Sequence, residues 1–199
     1  VEILDLGGVA ELREKYGLKV MGPKAEEAKL PPLDMALTEG MNGGEGEGYT
    51  VPIDVPGHTL GHMAFHFANG GALFTADSLM ALGCGRVFEG TMEMMHDSLQ
   101  RLAVLPPETM VYSGHEYTSA NGRFALTVDP ENVALQARVE KVAEMSEAGR
   151  PTAQVTLAEE LATNPFLRCD DPAIRRNLGM EEASDAEVFA EIRKRKDAF

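Results

Sequence analysis

The chain of 199 residues is predicted to fold as an α/β region followed by a helical region, and two observations predict this order. Up to about residue 120, short apolar runs end at turns rich in glycine and other small residues, which is typical of strands joined by loops. Beyond residue 120, apolar residues recur at helical spacing and follow helix-capping residues, which is typical of amphipathic helices. We therefore expect two domains, residues 1–120 and 121–199.

The α/β region is predicted to begin with a short helix and to continue in strands. Residues 10–19 predict the helix, with Gly17 as its stop, and residues 19–21 predict a brief strand. Residues 31–48 are polar and rich in glycine and proline, which predicts a loop with one hairpin. Residues 62–67 alternate in the way that a half-buried strand does. Strands are expected at 49–55, 63–67, 72–75 and 110–112.

The helical region carries clear signals for the start and end of helices. Residues 130–149 predict one helix that ends at a glycine. Thr156 is followed three residues later by Glu159, and Ser184 by Glu187, which is the pattern of a capping box at a helix start. We expect a helix after each of these caps, the second one running to the C-terminus.

The composition excludes several classes of protein. The chain has 32 acidic and 18 basic residues, a net charge of −14, whereas proteins that bind nucleic acids or anionic membranes carry the opposite sign. No apolar run approaches the roughly 20 residues of a membrane-spanning helix. Cys84 and Cys169 are far apart, so a disulfide framework is excluded and a reducing compartment is favoured. We expect a cytoplasmic monomer with no nucleic-acid or membrane partner.

The charged residues are distributed unevenly. No lysine or arginine lies between Lys29 and Arg86, whereas acidic residues recur there, and residues 193–196 are all basic. An acidic stretch suits a cation, and a local basic cluster suits a small anion. The alternative for the basic cluster is a solvated helix end, because cations are favourable at the negative end of a helix dipole.

Three polar side chains follow the ends of three predicted strands. His58, Asp77 and His115 each lie on a turn of small residues just past a strand. Loops at strand ends are where α/β folds usually place their sites. Two imidazoles and a carboxylate are ordinary ligands for zinc, iron or manganese, although an isolated histidine is more often a packed residue. We predict that these three side chains converge on one edge of the sheet.

The sequence around these residues resembles the metallo-β-lactamase superfamily. VPGHTLGH at 55–62 resembles its PGHTxGH motif, and LFTADSL at 73–79 resembles its FTGDTL segment with alanine in place of glycine. Within the superfamily, further motifs are similar to glyoxalase II, the hydroxyacylglutathione hydrolases. These motifs are GCGRVFEG at 83–90, VYSGHEYT at 111–118, NPFLR at 164–168 and RKRKDAF at 193–199.

The resemblance implies a fold, a reaction and a site. It implies an αββα sandwich, N-terminally incomplete here, followed by a small helical domain that binds glutathione, and hydrolysis of S-D-lactoylglutathione to D-lactate and glutathione in methylglyoxal detoxification. His58, Asp77 and His115 would be metal ligands that act through water activated by two divalent ions, with Asp77 bridging the two. Zinc is favoured, and iron and manganese suit the same ligands. The implied glutathione contacts are Arg86, Phe88, Tyr117, Arg193 and Lys196, where Phe88 replaces a common tyrosine.

The start of the chain departs from the family pattern. The HxHxDH motif, which supplies four further ligands, should precede Gly7, where this chain has VEILDL. A gapless match places Glu2 and Asp5 at histidine positions. The chain also lacks an initiator methionine, which is consistent with a fragment. Two alternatives stay open. The missing ligands favour a chain that binds glutathione conjugates without turnover. The other is a mononuclear-iron persulfide dioxygenase of the same fold, against which the helical C-terminal region and its basic ending argue.

The remaining candidates are expected to have structural roles. His62 is interpreted as a residue that orients a ligand, and His66 and His96 as packing or surface residues. Cys84 has no visible base beside it, so it is predicted to be structural. Packing is likewise expected for the methionines at 92, 94 and 95.

Overall fold

The computed structural model describes residues 7–43 and 46–199, and its elements follow the predicted order. In the α/β region they are α1 Val9–Tyr16, β1 Met21–Pro23, β2 Met35–Leu37, β3 Thr50–Asp54, β4 Met63–Phe67, β5 Ala72–Ala76, β6 Leu79–Met80, β7 Gly83–Cys84, α2 Met92–Ala103 and β8 Met110–Ser113. In the remainder they are α3 Thr118–Val128, α4 Val133–Glu147, β9 Val155–Thr156, α5 Leu157–Thr163, α6 Pro172–Leu178 and α7 Asp185–Ala198. Short 3-10 helices span Lys24–Lys29, Gly46–Gly48 and Pro165–Leu167.

The central element is a five-stranded sheet with the order β3-β4-β5-β8-β9. Its pairs β3–β4 and β4–β5 are antiparallel, whereas β5–β8 is parallel, with α2 as the crossover between them. It follows that β3, β5 and β8 run in the same direction and that their C-terminal ends share one edge of the sheet. The residues that follow these strands are those that the sequence singled out.

One face of the sheet is buried under helices. Leu73 of β5 and Val111 of β8 are fully buried in a core that also contains Leu99 of α2 and Phe189 of α7. The two helices pack against each other, so the C-terminal region closes over the sheet. On the opposite face the aromatic ring of Phe74 stacks on Tyr112 and stays half exposed.

The main helix and strand predictions are confirmed. α1 ends at Gly17, whose φ of 63° is the left-handed conformation that favours glycine. The four strands predicted between 49 and 112 are all present. Both capping boxes form: the hydroxyls of Thr156 and Ser184 accept hydrogen bonds from the third residues of α5 and α7, whose glutamates bond back to the caps.

Two details differ from the predictions. The brief strand lies at 21–23 rather than 19–21, and it pairs in parallel with β2, which requires the intervening chain to cross over rather than to turn back. The hairpin predicted within 31–48 stays a prediction: an isolated antiparallel bridge joins Gly43 to Thr50, and residues 44–45 lie outside the described ranges. In β4, Met63, Ala64 and His66 are buried, whereas the larger Phe65 and Phe67 are partly exposed.

The C-terminal region is helical except for one strand. β9 pairs antiparallel with β8 and extends the sheet, so the expectation of an all-helical region is wrong at this point. The predicted boundary at residue 120 falls in the first turn of α3. Glu2 and Asp5, the candidates at the start of the chain, lie outside the described residues. Over the ranges that are described, none of the helices has the length and apolar character to cross a membrane.

Candidate active site

The three predicted ligands meet at the shared edge of the sheet. Nε2 of His58 lies 3.6 Å from Oδ2 of Asp77, and Nε2 of His115 lies 3.5 Å from Oδ1 of the same carboxylate. His58 and Asp77 are buried, and His115 is partly exposed. The two imidazoles therefore face different oxygens of one carboxylate. The predicted convergence is confirmed as a matter of geometry.

These distances fit ions placed between the imidazoles and the carboxylate. Two ligand atoms at about 2.0–2.2 Å from a tetrahedral ion lie roughly 3.4 Å apart, close to both separations. Within the described ranges, no group of three or more His, Cys, Asp or Glu side chains is placed so that it could hold one metal ion. This is consistent with the geometry, because each imidazole approaches its own oxygen and contributes to a separate position. Two imidazoles and a shared carboxylate are a donor set that suits divalent ions.

The orientation of the His58 ring is fixed by a backbone carbonyl. Nδ1 of His58 lies 2.8 Å from the oxygen of Arg86. Because a carbonyl oxygen only accepts hydrogen bonds, Nδ1 carries a proton, and in the neutral ring the lone pair of Nε2 lies on the side of Asp77. The backbone oxygen of His58 also accepts from the amides of Phe88 and Glu89, so His58 is tied to the 86–89 loop at both ends.

His62 holds the backbone of Asp77. Its Nε2 accepts a hydrogen bond of 3.0 Å from the Asp77 amide. Burial, and then the neighbouring ring of His58, lower the pKa of His62 to about 4. The ring is therefore neutral at physiological pH and stays an acceptor. This placement matches the expectation that His62 orients a ligand.

Gly85 allows the 79–86 segment to approach Asp77 closely. A Cβ atom built on Gly85 would lie 1.9 Å from the backbone oxygen of Asp77 and 3.3 Å from Nδ1 of His58. Any side chain here would displace one of the two. The glycine in the GCGR motif is thus a requirement of packing at the site.

A cavity of about 460 Å³ extends from Asp77 to the C-terminal helix. Phe88 packs against His58 with ring centroids 5.0 Å apart, and Tyr117 stacks on His115 at 5.3 Å. All eight side chains that the sequence analysis assigned to the site line this cavity: His58, Asp77, Arg86, Phe88, His115, Tyr117, Arg193 and Lys196.

Arg193 is a buried structural cation as well as part of the cavity wall. It is 3% exposed, and its Nη1 donates to the backbone oxygen of Cys84 at 2.9 Å. Its Nη2 donates to Asp197 at 2.9 Å, and its guanidinium lies over the ring of Phe166. Its Nη1 and Nη2 are therefore bound to the protein itself, whereas its buried Nε has no hydrogen-bond partner among the described residues.

Lys196 is the more available cation of the pair. Its Nζ lies 5.3 Å from the ring centres of Phe124 and Phe199. Burial, and then the charges of Arg193 and Arg123, lower the pKa of Lys196 below its ordinary value. An anionic partner would therefore stabilise the charged form of Lys196.

The neighbours of Lys196 in the cluster point away from the cavity. Lys194 and Arg195 are exposed, and each pairs with Glu191 on the outer face of α7. The four basic residues are thus divided into two that line the cavity and two that do not.

The other candidates are packing residues. His66 and His96 are buried, and His96 packs against the ring of Phe189. Burial raises the pKa of the Cys84 thiol to about 11, so the thiol is protonated and unreactive at neutral pH. Among the methionines, Met95 lies in the core, whereas Met94 is exposed.

The sequence analysis missed several residues that line the cavity. Asp197 faces both Arg193 and Arg86, and its spacing of four from Arg193 on one helix was the available signal. Asn121 and Phe199 also line the cavity, and no pattern in the sequence marked them.

The fold and the site define a metallo-β-lactamase-like protein, and the comparisons agree. Residues 6–115 match the family model described as the metallo-β-lactamase superfamily. A solved B3 metallo-β-lactamase, BLEG-1, shares the fold at a TM-score of 0.59 and 20% identity, over 81% of this chain and 71% of that one. The structure of TTHA1623, described in a di-iron-bound form, gives a TM-score of 0.51 at 27% identity, over 81% and 71% of the two chains.

The C-terminal part identifies the family more narrowly. Residues 116–199 match the model described as the hydroxyacylglutathione hydrolase C-terminus. The hydroxyacylglutathione hydrolase of Chelativorans sp. (strain BNC1) is 54% identical over 188 residues, which is 94% of this chain and 74% of that protein. The chain therefore belongs to the hydroxyacylglutathione hydrolase family of the metallo-β-lactamase superfamily, as its motifs indicated.

Proposed function

We propose that this protein hydrolyses S-D-lactoylglutathione to D-lactate and glutathione. The observation that carries the proposal is the Asp77 carboxylate held between two imidazoles at one end of a cavity whose other end is cationic. A thioester of glutathione has a reacting carbonyl at one end and carboxylates at the other. Membership of the hydroxyacylglutathione hydrolase family supports the same assignment.

Different residues of the cavity would contact different parts of the substrate. Lys196, Arg86 and Arg193 form a positive rim where the glutathione carboxylates would pair, which explains how a chain of net charge −14 attracts an anion. Tyr117 and Phe88 flank the imidazoles, and their half-exposed rings form walls of the cavity beside the reacting end. Holding both ends fixes the thioester carbonyl beside Asp77, which lowers the entropic part of the barrier.

We assign the metal positions to His58, His115 and Asp77. Two divalent ions, zinc in the first place with iron or manganese suited to the same ligands, would supply a nucleophilic water at neutral pH and stabilise the developing oxyanion. The Arg86 carbonyl accepts from Nδ1 of His58 and so directs Nε2 toward Asp77, and His62 holds the backbone of Asp77 in place. The oxygen of water adds to the thioester carbonyl, and collapse of the tetrahedral adduct breaks the C–S bond. The thiolate of glutathione takes up one proton of the water, and the other is released when lactic acid ionises to D-lactate.

Two further assignments belong to this proposal. We place the boundary between a catalytic and a glutathione-binding domain near residue 120. We also propose a reducing cytoplasm as the location, since Cys84 and Cys169 are both free thiols.

The function is tested with the intact, metal-loaded protein and S-D-lactoylglutathione. We expect hydrolysis that His115→Ala reduces by at least 100-fold, together with loss of bound metal. His96→Gln is the matched control, because His96 is buried at the α2–α7 contact away from the cavity. Binding of the thioester without turnover by a metal-loaded protein would contradict the proposal and favour a binding protein.

A further inference from the structure

Residues 79–86 form a segment whose conformation depends on its surroundings. The ribbon β6–β7 is only two residues long on each side, and Leu82 between them has a φ of +57° although it is not glycine. L-residues rarely adopt this conformation, and it persists where neighbouring groups determine it. Leu82 is fully buried, so the conformation is set by the interior of the protein.

Polar side chains from the helical region bind this segment along its length. Glu160 of α5 accepts from the Leu82 amide at 3.1 Å, and Asn164 donates through Nδ2 to the oxygen of Gly83 at 2.9 Å and to that of Met80 at 3.3 Å. Asn121 of α3 donates to the oxygen of Ala81 at 3.0 Å, and Arg193 of α7 to that of Cys84. Each residue from 80 to 84 thus has a backbone group bound by a side chain of the helical region.

Asn164 and Glu160 also support each other. Asn164 donates to Oε2 of Glu160 at 2.8 Å, and Arg138 of α4 pairs with Oε1 of the same carboxylate. Asn164 and Glu160 are completely buried, and Arg138 is nearly so. A buried network of this kind is fully satisfied only in one arrangement, so it defines the position of the segment.

The segment ends at the group that orients His58. After Cys84, the amide of Gly85 donates to the oxygen of Ser78, and the carbonyl of the following residue, Arg86, accepts from Nδ1 of His58. We propose that Asn164 and Glu160 are positioning residues: by holding residues 79–86 from the helical region, they place the Arg86 carbonyl that fixes the tautomer and direction of His58. This gives the NPF motif at 164–166 a role distinct from contact with glutathione.

The proposal rests on the assignment of His58 as a metal ligand, but its first readout needs no metal. In the metal-free intact protein, nitrogen-15 NMR of the His58 ring reports which nitrogen carries the proton. We expect the Nδ1–H tautomer in the wild type, and a mixture of tautomers in Asn164→Ala. Hydrogen exchange at the amides of residues 82–86 should be faster in the same variant.

Asn132→Ala is a closely matched control. Asn132 also caps a helix, accepts from the Leu135 amide, and donates through Nδ2 to a carboxylate and to the backbone oxygen of Ala162. It makes none of its recorded hydrogen bonds to residues 79–86. We expect Asn132→Ala to lower stability while leaving the tautomer, the exchange of the segment and the zinc affinity at wild-type values.

Zinc titration of the folded apo variants completes the test. We expect Asn164→Ala to weaken zinc binding by about 10- to 100-fold, the usual effect of losing a group that orients a ligand. If Asn164→Ala does not fold, Asn121→Ala removes a single bond to the same segment and should shift both readouts in the same direction. Wild-type tautomer and zinc affinity in these variants, or equal changes in Asn132→Ala, would overturn the proposal. Unchanged zinc affinity in His58→Ala would instead refute the ligand assignment, while a tautomer change in Asn164→Ala would still support positioning.

Discussion

Replacing Lys196 distinguishes two interpretations of the basic cluster. In one, Lys196 binds a carboxylate of glutathione and acts as a glutathione clamp; in the other, the cluster is only a solvated helix end. Lys196 lines the cavity, has aromatic rings on two sides, and has a pKa lowered by burial and by the charges around it. Lys194, two residues earlier, is exposed and lies 3.6 Å from Glu191 on the outer face of the same helix. Lys196→Ala and Lys194→Ala therefore remove the same charge from opposite faces of one helix.

The magnitude follows from the bond that would be lost. A hydrogen bond to a charged group contributes about 1.5–3 kcal/mol, which corresponds to a rise in KM of roughly 10- to 150-fold. The carboxylates of glutathione are remote from the thioester, so we expect KM for S-D-lactoylglutathione to rise while kcat changes little. Lys194→Ala should leave both constants unchanged. Arg193 is less suitable for this test, because replacing it would also remove its hydrogen bond to the backbone oxygen of Cys84 and lower the stability of the protein.

Salt and pH provide independent checks on Lys196. Added salt should raise the KM of the wild type and have a smaller effect on Lys196→Ala, since screening acts on the charge that the variant lacks. The pKa of Lys196 is lowered, so its cation is lost as pH rises at lower values than for an ordinary lysine. Wild-type affinity should fall in that range, whereas Lys196→Arg should retain it. Equal KM values for the wild type, Lys196→Ala and Lys194→Ala would refute the clamp.

Two further predictions concern the edge of the sheet. Asp77→Asn should remove one equivalent of bound metal and nearly all thioesterase activity, because the carboxylate serves both metal positions. Metal analysis that finds near-normal metal content, together with a near-normal rate of hydrolysis, would contradict the bridging role. Gly85→Ala should destabilise the protein by about 1–3 kcal/mol in chemical denaturation and weaken metal binding, since the new methyl group meets the oxygen of Asp77. Gly48→Ala, where nothing lies near the new Cβ, is the control, and equal effects of the two substitutions would refute the packing argument.

Local signals allowed much of the fold to be predicted from the sequence. Capping boxes at Thr156 and Ser184 act over three residues, so the pattern alone indicates them. Alternation in β4 is equally local, but which side faces the core depends on the layer above the sheet. The sequence therefore indicated the strand but not that His66 is buried while Phe65 and Phe67 are partly exposed.

In the site, too, local signals were predictable and long-range contacts were not. His58, Asp77 and His115 were predictable because each follows a strand and because three strands of like direction end at one edge. The family was predictable from motifs that are contiguous in the chain. The dual role of Arg193 was not, since its partner Cys84 is 109 residues away in the sequence.

The sequence by itself determined the order of the elements, the helix caps, the three ligand candidates and the family, because these depend on residues that are neighbours in the chain or on contiguous motifs. Only the tertiary structure decided that β9 joins the sheet, that Arg193 is bound to the protein while Lys196 remains available, and that Asn164 and Glu160 hold residues 79–86. These contacts join residues that are 40 to more than 100 positions apart. Burial and hydrogen-bond partners at such separations are set by how the helices close over the sheet.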